Sequence, residues 1–138
     1  MVGVTKRRFY KKGTIMGYRS EVGIKCGENA YKMFEQVIED GGFNTCFVPD
    51  TVYKDSNNHY TLSWEWVKWY DEFDGVQDIE HVMDILDGLA DYDNDKGYGY
   101  HFIRIGEEYD DIEERYTDYL DFYVIRTIID GDMKLSSN

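Results

Sequence analysis

The stretch Tyr60–Tyr70, Tyr-Thr-Leu-Ser-Trp-Glu-Trp-Val-Lys-Trp-Tyr, constrains the fold more than any other part of the chain. It carries all three tryptophans and opens with strict alternation, Leu62, Trp64 and Trp66 on one phase and Thr61, Ser63 and Glu65 on the other. Period two with aromatic enrichment specifies a half-buried strand. Indole rings on one phase bury a large apolar area, which places this strand in mid-sheet beneath helices.

A strand is also expected from Met16, where Tyr18, Ser20, Val22, Ile24 and Cys26 alternate with Arg19, Glu21, Gly23 and Lys25. Ala30, Met33, Phe34, Val37 and Ile38 follow at the spacing of an amphipathic helix, which Gly41-Gly42 closes. Phe43–Tyr53 reads as a weaker strand, and Pro49 assigns it to a sheet edge or an irregular path. Asp55-Ser56-Asn57-Asn58 then turns the chain into the tryptophan strand as a hairpin.

Asp74 and Gln77, spaced as a capping pair, open a second helix with Val76, Ile79, Val82, Met83, Leu86, Leu89 and Ala90 on one stripe. A strand at about Tyr98–Ile105, an acidic segment over Gly106–Tyr119 and a last strand over Leu120–Ile129 complete the order β-α-β-β-α-β-β. The fold class is therefore α+β: a two-layer sandwich, an antiparallel sheet with two amphipathic helices on one face, in a ferredoxin-like variant. Residues 1–15 read as a basic flexible tail, 16–130 as a single domain and 131–138 as a polar tail. No apolar run approaches the ~20 residues of a bilayer span and no signal-peptide pattern is seen, so a cytoplasmic protein is expected.

Charge is the strongest compositional fact. The net charge is −13, yet residues 1–12 hold five basic residues and no acidic one, leaving −18 for residues 13–138. Asp71–Asp121 alone carries 18 acids against Lys96, Arg104 and Arg115, a net −15. Such a field repels nucleic acid and anionic membrane and attracts basic protein surfaces. Solubility alone needs less, a net charge of about 2–8 for a small domain.

Motifs for chemistry are sparse. Cys26 and Cys46 have neither disulfide nor metal spacing. Asp91, Asp93 and Asp95 match the first positions of a calcium loop, but Lys96 stands where glycine is needed and Phe102 where a glutamate is needed. A solvated turn is the better reading. His59, His81 and His101 share no ligand spacing and accompany no nucleophile motif. No catalytic residue, metal or cofactor is expected.

Two surfaces remain as candidates. One is an acidic face built from the outer side of the second helix, Asp78, Asp84, Asp87 and Asp91, and from Glu107, Glu108, Asp110, Asp111, Glu113 and Glu114. The other is a polar patch on the sheet, Arg19, Glu21, Glu65 and Trp69. Regularly spaced carboxylates can imitate duplex phosphates, about one charge per ~1.7 Å of helix axis, and interleaved tyrosines suit a protein interface. Exposed sheet aromatics can stack RNA bases, but the negative body opposes it.

The strings Gly17-Tyr18-Arg19-Ser20-Glu21-Val22, Trp66-Val67-Lys68-Trp69-Tyr70 and Ile103-Arg104-Ile105-Gly106-Glu107-Glu108 resemble small acidic proteins of phages and prophages. The likeness spans about Met16–Ile129 and carries over no functional residue. It implies a setting in which small acidic domains inhibit host defence or regulatory proteins. The expected function is thus a non-enzymatic, DNA-mimicking inhibitor that occupies the basic, nucleic-acid-binding surface of a host protein, such as a restriction or CRISPR nuclease. The alternatives are an assembly module using the sheet face, or a small-ligand binder or enzyme.

Overall fold

The computed structural model describes residues 3–6, 17–40, 47–93 and 96–124. Its elements are β1 (Gly3–Lys6), β2 (Ser20–Cys26), α1 (Glu28–Asp40), β3 (Thr51–Lys54), β4 (Tyr60–Val67), α2 (Asp74–Asp93), β5 (Tyr100–Gly106) and β6 (Ile112–Tyr116). The strands form one antiparallel sheet in the order β1-β6-β5-β2-β4-β3. Within it, β5-β2-β4-β3 interleaves two split β-α-β units, β2-α1-β3 around β4 and β4-α2-β5 around β2. The α+β class holds, and β6 and β1 extend the sheet beyond β5.

The helices pack side by side on one face. The sheet contributes Val22, Ile24, Cys26, Leu62, Trp64, Tyr100 and Phe102 to the core, and the helices contribute Ala30, Phe34, Val76, Ile79, Val82, Met83 and Leu86. Alternation on the strands and the 3.6-residue stripe on the helices thus meet in one apolar layer. Cys26 is buried there, and burial pushes its thiol far up, which leaves it unreactive.

The tryptophan strand departs from simple alternation. Val22 pairs with Trp64 but Ser20 pairs with Val67, so Glu65 and Trp66 together stand opposite Glu21 in a β-bulge. Trp66 takes φ +54°, a costly left-handed conformation for a bulky residue. The extra residue moves Trp66 off the core phase, where it is half-buried, and brings Trp69 inward instead. Trp69 is 6% exposed, with its ring 5.3 Å from that of Trp64 and 5.5 Å from that of Phe47. The expectation that Trp66 faces the core and Trp69 the polar sheet patch is corrected on both counts.

Other expectations shift in smaller ways. Phe47–Asp50 runs irregularly into β3, whose four residues are all exposed on the sheet edge, as Pro49 foretold. Gln77 does not cap with Asp74; its side-chain amide donates to the Asp71 carbonyl. Ile112–Tyr116, inside the expected acidic segment, is a strand, whereas Leu120–Val124, the start of the expected last strand, is a turn and irregular chain. Gly3–Lys6, within the expected basic tail, pairs with β6. The Gly41-Gly42 cap, Cys46, most of residues 1–15, Ile125–Ile129 and the tail 131–138 lie outside the described residues.

Candidate protein interface

The strand β6 divides the acidic run. Residues 113 and 115 stand opposite Arg104 and Phe102 and so face the helix layer, while Glu114 stands opposite Ile103 and faces the other way. Asp111 is 2% exposed and Glu113 0%. Both meet the buried Arg104 guanidinium: Nη2 and Nη1 donate to Asp111 at 2.6 and 3.1 Å, and Nε donates to Glu113 at 3.1 Å. Arg104 Nη1 also donates to the Ser20 hydroxyl at 3.0 Å, and the Tyr18 hydroxyl donates to Asp111 at 2.6 Å. Burial works against the charge on Arg104, but hydrogen bonds and charge from Asp111 and Glu113 outweigh it and hold the guanidinium above its ordinary value. Burial, then the Asp111 bond, pushes the Tyr18 phenol up.

A second arginine answers the outer face of α2. Arg115 Nη2 donates to Asp84 at 2.9 Å and to Asp87 at 2.7 Å, and Asp87 also accepts from the Tyr100 hydroxyl at 2.7 Å. Asp87 is therefore a half-buried ion-pair partner, while Asp84 remains exposed at the rim. Asp78 is half-buried on α2, and the side chain of Asp91 lies outside the described residues. Of the polar sheet patch, Arg19 is half-buried, Glu21 is buried, Glu65 is exposed and Trp69 is in the core. The structure does not bring either candidate group together as one surface.

What it does bring together is one end of the sheet. Ser20 is paired with both Val67 and Gly106, so residues 17–19, the 68–73 connection and the 107–111 turn all emerge at that end. Arg19 ties them: its backbone N–H donates to Glu107 Oε2 at 2.7 Å and its guanidinium donates to the Trp66 carbonyl at 3.1 Å. The Tyr18 hydroxyl accepts from the Glu108 N–H at 3.0 Å. Gly106 is required here, because a Cβ would come within 2.2 Å of Asp111 and 2.4 Å of the Tyr18 hydroxyl. Around this braced junction Glu72, Asp74, Glu107 and Asp110 are exposed, Asp71 and Glu108 half-exposed, and Tyr109 is 87% exposed. Lys68 is the exposed cation among them.

Among the described residues no group of three His, Cys, Asp or Glu is placed to hold a metal ion. His59 sits in the β3–β4 turn 3.9 Å from Asp55, His81 is exposed on α2, and His101 is buried on the opposite face of the sheet. Among the described residues no helix is long and apolar enough to cross a membrane. No family model, curated protein or solved structure matches the chain.

Sequence reasoning missed Arg104, Arg115 and Tyr18 as organisers of the acidic run. A signal existed for the first. Tyr100, Phe102 and Arg104 share one strand phase, so an arginine on the apolar phase announces buried carboxylates.

Proposed function

We propose that the chain is an acidic binding protein without enzymatic activity, and that the braced end of the sheet engages a basic surface of another protein. The observation that carries this reading is that Glu72, Asp74, Glu107 and Asp110 are all exposed on segments that emerge at one end of the sheet, with the Tyr109 ring exposed on the same turn as Glu107 and Asp110. Asp111 and Glu113, by contrast, are buried against the Arg104 guanidinium. An acidic rim that also exposes an aromatic suits association steered by charge and anchored by one ring. The partner class is a nucleic-acid-binding protein, whose basic groove such a rim would occupy in competition with phosphate. The likeness to phage proteins makes host defence nucleases the natural members of that class.

The test is capture from host lysate with mass spectrometry, washed at ~0.15 M and at ~1 M salt, where the Debye length falls from ~8 to ~3 Å. The expected result is a nucleic-acid-binding protein held only at low salt by the wild type. The variant carrying Glu72→Lys, Asp74→Lys, Glu107→Lys and Asp110→Lys should not hold it. Retention at high salt, or by the variant, overturns the reading.

A second reading rests on β3. It is an exposed edge on which Val52 is 47% and Tyr53 65% exposed, with Val48 nearby in sequence at 66%. An edge of this kind can add a strand from another chain, and an assembly module would use it. Self-association insensitive to salt in light scattering would favour this reading over the first.

A further inference from the structure

The face of the sheet opposite the helices carries Tyr119–Val124, a strap fastened by Lys25 and His101. Lys25 Nζ donates to the Leu120 carbonyl at 3.1 Å. Next to it, His101 is 0% exposed, with Nδ1 against the Tyr119 carbonyl and Nε2 2.5 Å from Glu114 Oε2. The imidazole ring is packed among Tyr116, Tyr119 and Phe122, with centroids 5.0, 4.8 and 5.6 Å away. Phe122 and Val124 lie directly on Gly23, where an added Cβ would stand 2.8 Å from each. The turn itself is strained: Leu120 and Asp121 take φ +58° and +50° in succession. Left-handed backbone at two L-residues is unfavourable and persists only where surrounding contacts hold it.

Both nitrogens of His101 face oxygen acceptors. A carbonyl only accepts, so Nδ1 must carry a hydrogen toward Tyr119. Nε2 and the Glu114 carboxylate then need one further proton between them, whichever atom holds it. Without that proton a nitrogen lone pair faces a carboxylate oxygen, and the contact turns from a charge-assisted hydrogen bond into repulsion.

We propose that His101 and Glu114 form a proton-operated latch that holds the Tyr119–Val124 strap against the sheet and releases it as the pH rises. The groups facing the latch set its balance. Glu114 from β6 faces the ring, and so does Lys25, directly opposite His101 in β2 and 4.0 Å from Asp55. Tyr116 from β6 and Tyr119 from the strap add their rings, and Asp121 and Tyr123 on the strap are exposed. The Glu114 side chain is 30% exposed, so the shared proton exchanges with solvent although the ring is sealed. Release would bare the apolar underside of Phe122 and the His101–Gly23 floor, a surface separate from the acidic end and independent of its role.

The test is hydrogen exchange read by mass spectrometry, with protection normalised for intrinsic rate, from about pH 6 to about pH 9 across the ordinary imidazole range near 6.5. Strap amides should lose about tenfold or more of their protection as the pH rises, while β2 and β5 stay constant. In Glu114→Gln the side-chain amide can donate to a neutral Nε2, so the strap should remain protected throughout. Strap protection in the wild type that does not change with pH, or that falls equally in Glu114→Gln, overturns the latch.

Discussion

Glu107–Asp110 and Asp111–Arg115 are neighbours in one acidic run, yet they meet opposite fates. The first is a turn whose Glu107 and Asp110 are exposed; the second leads into β6, where Asp111 and Glu113 are sealed under the helix layer. The difference is set by what stands across the sheet. Arg104 on β5 supplies a buried cation within hydrogen-bond reach of both carboxylates, whereas Glu107 on the turn accepts the backbone N–H of Arg19. Formal charge counted along a chain is thus a poor measure of the field a surface presents. Part of the −15 over Asp71–Asp121 is consumed inside the fold.

The sharpest way to break this comparison is Arg104→Met, which keeps the aliphatic stem and leaves Asp111 and Glu113 buried without their cation. Unpairing buried charges of this kind costs about 3–5 kcal/mol, read as a fall in the urea midpoint. A change within experimental scatter would show that the cluster is solvated after all.

Alkaline titration should give an intermediate effect. Burial, and then hydrogen bonds to Asp111 and Asp87, raise the Tyr18 and Tyr100 phenols above their ordinary value. The unfolded chain therefore loses those protons first. The stability they contribute is complete below about pH 10 and declines as the pH climbs past it. Urea midpoints measured across that range should fall in the wild type and fall less in Tyr18→Phe with Tyr100→Phe. The smallest effect belongs to the exposed turn: Glu107→Gln with Asp110→Asn should move stability by no more than about 0.5 kcal/mol. A loss comparable with Arg104→Met would erase the distinction between the two halves.

Periodicity made much of the fold legible. β2, α1, β4 and α2 show clean apolar phases, and their residues form the core. β6 was hidden because its inward residues, Glu113 and Arg115, are charged; a hydrophobicity pattern cannot mark a strand whose buried phase is ionic. The exchange of Trp66 for Trp69 was hidden for a different reason. A bulge adds one residue to β4, and one residue in a period of two reverses the phase of everything after it. The acidic face was overdrawn because carboxylates were counted without their arginines. The junction through Arg19, Tyr18 and Gly106 joins positions nearly ninety residues apart in sequence, as the Arg19–Glu107 and Tyr18–Glu108 bonds show, and no local pattern encodes it.

The pairing of β1 with β6 has a consequence in time. Gly3 lies opposite Tyr116, so β1 is made long before the strand it pairs with. Every other neighbour in the sheet is available before β6 emerges, and only then is there an edge for the amino-terminal residues to join. Pairing across so long a span is slow to close, and a chain growing at ~5–20 residues per second must carry β1 until β6 has been made. The finished sheet is therefore sealed at this edge by the segment that waited longest, and β1 is the strand expected to leave first when the protein opens locally.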